Sequence, residues 1–162
     1  MPQTATERKA AAKRSENAIA LLKSDHAEVA DLFEKYEKRA NRLDSRAKSA
    51  LAREICEALT IHATIEEEIF YPACKEHLED AEDLLAEAKV EHQSLKELIG
   101  KIEGEKPGTD EFDAEVTVLG EYVKHHVKEE QNELFPKVRK SDMDLDELGK
   151  RLTARKSELQ AR

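Results

Sequence analysis

Along this chain, apolar residues recur every three or four positions in four long segments, and each segment interrupts its own pattern near its middle or toward its end. Ile19, Leu22, His26, Val29, Phe33 and Tyr36 form the first stripe. Ile55, Leu59, His62, Glu66 and Ile69 form the second; Leu85, Ala88, His92, Leu95, Ile99 and Ile102 form the third. Phe112, Val116, Leu119, Val123, His126 and Glu130 form the fourth. This spacing keeps side chains on one face of a helix, so each segment predicts an amphipathic α-helix with a single buried face. Asn17 suits the N-cap of the first helix. Asn41 to Asp44 reads as a turn, and GEKPGTD, Gly104 to Asp110, is the clearest loop. The second helix is expected to end near Pro72, and the fourth to end or kink near Pro136, because proline disfavours helical geometry in the residue before it. Leu145, Leu148, Leu152 and Leu159 predict one more amphipathic helical segment within 144–162. The pattern predicts an all-α, up-down-up-down four-helix bundle over 17–140. A polar tail over 1–16 and a C-terminal helical extension over 141–162 flank it.

The interruptions carry the chemistry. His26, His62, His92 and His126 stand where Leu or Ile is expected, and Glu66 and Glu130 follow two of them at i+4. Residues four apart lie one above the other, roughly 6 Å along the axis. Each H-x3-E therefore presents an imidazole and a carboxylate to one interior volume. The chain also repeats itself. HATIEEEIFYP from His62 and HVKEEQNELFP from His126 both read H-x3-E-x5-P, and SDHAEVADLFEK around His26 parallels VEHQSLKELIGK around His92. Two copies of one helix pair would bring four imidazoles and two carboxylates to the middle of a bundle as two half-sites.

A buried carboxylate without a partner costs several kcal/mol, and no Lys or Arg lies on the stripes at that level. Bound cations would remove that cost. Mixed imidazole and carboxylate donors suit iron, and also manganese or zinc. Six donors exceed one tetrahedral zinc, so two irons bridged by Glu66 and Glu130 use the set best. The ferritin-like plan, with Glu-x-x-His on two helices, fits poorly. A purely structural bundle, with zinc or without metal, is the competing reading.

Composition narrows the function further. The chain has 162 residues, 39% of them charged and 39% hydrophobic, with a formal net charge of -9. That balance argues against a general nucleic-acid or anionic-membrane binder. No apolar run reaches transmembrane length, and MPQTATERKAAAKRSEN lacks the apolar core of a secretory signal. Cys56 and Cys74 make no disulfide framework and read as small packing residues, so a cytoplasmic location is expected.

The ordered set Asp25-His26, His62-x3-Glu66, Glu91-His92 and His126-x3-Glu130, with the aromatic-proline pairs Tyr71-Pro72 and Phe135-Pro136, resembles the hemerythrin-like (HHE) domain family. It is similar to the bacterial H-HxxxE-H-HxxxE subgroup. The resemblance implies a four-helix bundle around a non-haem diiron centre with oxo or hydroxo and carboxylate bridges. His26, His62, Glu66, His92, His126 and Glu130 would be its ligands, with no catalytic residue beyond them. Dioxygen, hydrogen peroxide or nitric oxide would be its small ligand. Oxygen-carrying members place HxxxH on the third helix, whereas Ala88 and Lys96 flank His92 here. One fewer histidine leaves positions open, which suits redox turnover, catalase-like activity included, or sensing better than oxygen storage. A monomer or weak homo-oligomer is expected.

The remaining polar residues have blander readings. The acids beside the histidines would orient imidazoles from outside the ligand set. Tyr36 could face the site but reads as core, and His125 falls beside the stripe. His77 and Cys74 lack a second pair to complete a zinc site. Glu67, Glu68 and Glu129 read as solvated charges, and Glu68 and Glu129 could also serve as outer acids or as acids of an entry path. The basic N-terminal residues Arg8, Lys9, Lys13 and Arg14 read as a solubilising tail.

Overall fold

The protein is described here by a computed structural model covering residues 17–39 and 44–162. The expected tail at 1–16 and most of the expected turn before Asp44 lie outside the described residues. Helix α1 spans Ala18–Arg39, α2 Ser45–Ile65, α3 Tyr71–His77, α4 Glu82–Gly104, α5 Asp110–Glu129, α6 Phe135–Lys140 and α7 Leu145–Gln160. Helices α1, α2, α4 and α5 form the bundle, with α1 against α2 and α5, and α4 against the same two. Helix starts follow the local chemistry. The side chains of Asn17, Asp44, Thr109 and Asp144 each accept a backbone N–H from the first turn they precede. Gly108, in the predicted loop, sits at φ 88° and lies so close to Ser45 that a Cβ would collide with its hydroxyl.

The two prolines end nothing. α2 runs into a π turn, Glu66–Phe70, and continues as α3; α5 does the same through Glu130–Leu134 into α6. Proline is excluded from an α-helix because its ring meets the carbonyl four residues back and its nitrogen cannot donate. Closing the turn with a bond to the fifth residue back, Tyr71 N–H to Glu66 C=O and Phe135 N–H to Glu130 C=O, loosens the backbone just ahead of Pro72 and Pro136. The extra residue also changes which side chains share a face. Residues five apart diverge by about 140° on an α-helix, but a π turn brings them close to the same side.

The bundle interior is layered. One apolar cluster, with Phe33, Tyr36, Ile55, Leu95, Phe112 and Leu119, fills one end. A second, with Leu22, Ile65, Phe70, Phe135, Leu148 and Leu152, fills the other. The six polar stripe residues are buried between them. The expected C-terminal segment is α7, which packs across α1 and α2 and contributes Leu148 and Leu152 to the second cluster. Leu152 is fully buried, so Leu152→Ala should cost about 3 kcal/mol in denaturant unfolding. A loss below about 0.5 kcal/mol would mean that α7 is not part of the cooperative fold. Among the described residues no helix is long and apolar enough to cross a membrane.

Candidate metal centre

His26 on α1, His62 on α2, His92 on α4 and His126 on α5 are all at least 93% buried and meet at one level of the bundle. Glu66 and Glu130, the first residues of the two π turns, are 0% and 3% exposed. The ligand atoms of His26, His62, Glu66 and Glu130 form one group within 4.8 Å, and those of Glu66, His92 and His126 form another. Glu66 therefore belongs to both. Glu130 also spans the two halves, with Oε1 at 3.2 Å from His26 Nε2 and Oε2 at 3.4 Å from His126 Nε2.

The outer nitrogen of every ring is held by an acceptor. His62 Nδ1 lies 3.0 Å from Asp25 Oδ2, and His126 Nδ1 lies 2.9 Å from Glu91 Oε1. His26 Nδ1 lies 2.8 Å from the Gln131 carbonyl oxygen, and His92 Nδ1 lies 3.2 Å from Glu67 Oε2. These oxygens only accept, so in each ring Nδ1 carries the proton and Nε2 of a neutral imidazole points inward as a bare lone pair. The inward atoms then face one another badly. His92 Nε2 and His126 Nε2 are 3.3 Å apart. His62 Nε2 approaches Glu66 Oε1 to 2.6 Å. Among the described residues, neither of those two atoms, nor Glu66 Oε2, His26 Nε2 or Glu130 Oε1, has a partner in hydrogen-bonding geometry.

A cluster of lone pairs and carboxylate charge demands positive charge. Burial by itself lowers the His62 pKa, but Glu66 and Asp25 override it and push it up to about 10. His126 is likewise pushed up to about 11, burial being overcome by Glu130 and Glu91. Burial would raise the Glu130 pKa, but the His126 and His26 imidazoles beside it hold it well below the carboxylate range. Protons can supply this positive charge, and so can metal cations. The donor set, two histidines per half with two carboxylates shared between halves, fits a pair of ions of the borderline type that imidazole and carboxylate both suit.

Residues 17–138 match the family described as the Hemerythrin HHE cation binding domain. The chain belongs to that family. It is also 28% identical over 152 residues to a protein named DNA nickase from Nostoc sp.. That match covers 93% of this chain and 42% of the relative, so the chain spans less than half of that protein's length. Among solved structures, it superposes with a TM-score of 0.74 on a hemerythrin HHE cation binding domain-containing protein from Mycobacterium kansasii. The match covers 90% of this chain and 88% of the other at 24% identity, a likeness of fold.

Within this HHE domain, the structure brings together all six residues that the stripes single out. It also adds residues the stripes do not show. Tyr71 donates its hydroxyl to Glu130 Oε2 at 2.6 Å and lies 3.3 Å from both His92 Nε2 and His126 Nε2. Burial, with the carboxylates of Glu66 and Glu130, raises its pKa well above the usual phenol value. Its repeat partner Phe135 instead stacks on His26, with ring centroids 6.0 Å apart. The two halves are thus polar on one side and apolar on the other, through one difference in the aromatic-proline pair.

Glu67 is not a solvated charge. It bonds His92 and also accepts from Lys96 Nζ at 2.6 Å. The acids beside the histidines do orient imidazoles, but across helices: Asp25 serves His62, and Glu91 serves His126. Lys156 on α7 bonds Asp25, and Arg155 grips both oxygens of Glu68, tying α7 to the π turn. Tyr36 lies in the core and donates to Asp113. His125 is largely exposed, outside the six. Cys74 is buried while His77 pairs with Asp142 at the surface, so the two do not form a site.

Proposed function

We propose that this HHE domain holds two iron ions between its halves, as an oxo- or hydroxo-bridged centre, and acts on or binds dioxygen or hydrogen peroxide. The observation that carries this reading is the arrangement of four imidazoles. Each is locked by an outer acceptor with Nε2 inward, around two carboxylates that each reach both halves. His26, His62, Glu66 and Glu130 would hold one ion, and Glu66, His92, His126 and Glu130 the other. The ions would supply redox equivalents and open coordination positions.

The chain's own residues set the conditions around them. Phe70, Phe135 and Ile65 close one side of the site to water. A groove of about 350 Å³, lined by His26, Phe33, Val123 and Val127 among others, leads an uncharged small ligand to the first half. Tyr71 holds a proton between Glu130 and the second pair of histidines, where a reduced oxygen species would need one. We place the protein in the cytoplasm as a monomer or weak homo-oligomer. We assign it no nucleic-acid partner in spite of the Nostoc relative's name, because the net charge of -9 opposes phosphate binding.

A sensing role for dioxygen, nitric oxide or iron is the second reading. It draws on the Lys156–Asp25–His62 contacts, which link a ligand of the site to α7. Protein purified from iron-supplied cells without chelator should carry about two irons per chain by mass spectrometry, the count that two three-to-four-donor half-sites imply. Such protein should then be tested for oxygen evolution from peroxide. Zinc alone, or no metal, would rule out the diiron reading. Two irons without turnover would favour sensing.

A further inference from the structure

The two halves of the site meet the surface in opposite ways. In the first, the acid that orients a ligand, Asp25, is 5% exposed and its second oxygen is held by the Lys156 ammonium. Arg155 covers the neighbouring Glu68. A cation approaching from the α7 side meets two fixed positive charges. In the second half the equivalent acid is Glu91, and among the described residues no lysine pairs with it. Its Oε1 holds His126, while Oε2 turns outward to His125 Nε2 at 3.4 Å. Glu129 Oε1 lies 3.4 Å from the same nitrogen. His125, Glu91 and Glu129 thus form a separate group whose donor atoms lie within 4.8 Å, at the surface.

Two members of this group, Glu91 and Glu129, also line a way to the interior. A crevice of about 10 Å³ is lined by Glu91 and Glu129 at its outer side and by His126 and Glu130 at its inner side. That is barely room for one water. Glu130 is 3% exposed and lines the crevice, while its Oε1 faces His26 at 3.2 Å with no hydrogen-bond partner among the described residues. Leu84 separates the crevice from an open vestibule that carries Asp80, Asp83, Glu133 and Lys137. Carboxylates therefore predominate from the vestibule to the centre. Such a lining concentrates cations, and an imidazole among the carboxylates favours a transition-metal ion over calcium or magnesium.

We propose that Glu91, His125 and Glu129 form a divalent-cation docking site through which iron(II) reaches and leaves the buried centre, past Leu84 and Glu130. The first half is capped by Lys156 on its α7 side and opens instead to the groove beside His26, whose mouth carries Glu34, Glu37, Glu121 and Lys124. The crevice is too tight for a hydrated ion, so the docking residues would take over part of the hydration shell while Leu84 moves aside.

This inference rests on the diiron reading, and its test separates the two. Natural-abundance holoprotein is reduced without oxygen and mixed with excess iron(II)-57, and incorporation into the protein is followed by mass spectrometry. A loss of affinity would speed this exchange, whereas a lost route slows it. The double variant His125→Ala, Glu129→Gln is expected to bind the same amount of iron as the unsubstituted protein but to exchange it at least tenfold more slowly. The charge control Glu37→Gln, Glu121→Gln, which alters the mouth of the groove beside His26, is expected to exchange normally. Full occupancy with normal exchange in the double variant would overturn the docking site and leave the diiron reading intact. Equal slowing in both variants would also overturn it, as a general charge effect. An unsubstituted protein that binds no iron would remove both.

Discussion

Stripping the metal should lower the melting temperature of this protein by about 10 °C or more, and Glu66→Ala should abolish most of that difference. A ligand that binds only the folded state stabilises by about 4 kcal/mol at a thousandfold excess over its dissociation constant. For a chain of this size about 1 kcal/mol corresponds to 2–4 °C. The donors are spread over α1, α2, α4 and α5 and both π turns, so unfolding the bundle disperses every one of them. Glu66 is the most consequential single position. It belongs to both donor groups, it is fully buried, and neither of its oxygens has a hydrogen-bond partner among the described residues. Removing it should reduce the metal content from about two per chain to one or none. Glu68→Ala is the matched control, because Glu68 points to Arg155 at the surface and should leave the count unchanged. Equal metal content in the two variants would show that Glu66 is a structural acid and that the two halves do not share it.

The six inner residues could be read from the sequence because helical periodicity is a local property. A histidine at position 62 faces the same way as Leu59 wherever the helix packs. The outer partners are not local. Asp25 next to His26 suggests a pair, yet Asp25 holds His62, 37 residues away, and Lys156 reaches Asp25 from 131 residues away. Such contacts follow from how helices cross, which no single stretch encodes. The prolines misled for a different reason. The rule that proline stops a helix assumes α geometry, and at Pro72 and Pro136 the backbone changes to a π turn instead. The duplicated H-x3-E-x5-P holds that signal: a glutamate at the start of a π turn, an aromatic five residues on, and a proline to favour the loosened turn. In that light Tyr71 and Phe135 are side chains of the site, and the difference between them is visible in the sequence.

Metal-free and metal-loaded protein should respond to pH in opposite directions. Without metal, His62 and His126 hold their protons up to about pH 10 and 11, because the surrounding carboxylates outweigh burial. In the unfolded chain an imidazole releases its proton near 6.5. A raised folded pKa contributes stability that is complete below about 6.5 and fades as the pH climbs through 10 and 11. Stripped protein should therefore lose stability steadily between pH 7 and 11. Metal requires the same two nitrogens as lone pairs, so binding must expel both protons. His62 and His126 belong to different halves, so each ion displaces one proton and its apparent affinity tightens by about tenfold per pH unit between 7 and 9. Cobalt(II) competed against a colorimetric chelator at pH 7, 8 and 9, with the chelator's own titration subtracted, gives the slope directly. Thermal melts of stripped protein over the alkaline range give the other arm. A slope near zero would mean that His62 and His126 are already neutral at pH 7. The convergence of Glu66 and Glu130 on them would then have to be balanced by something other than protons before metal arrives.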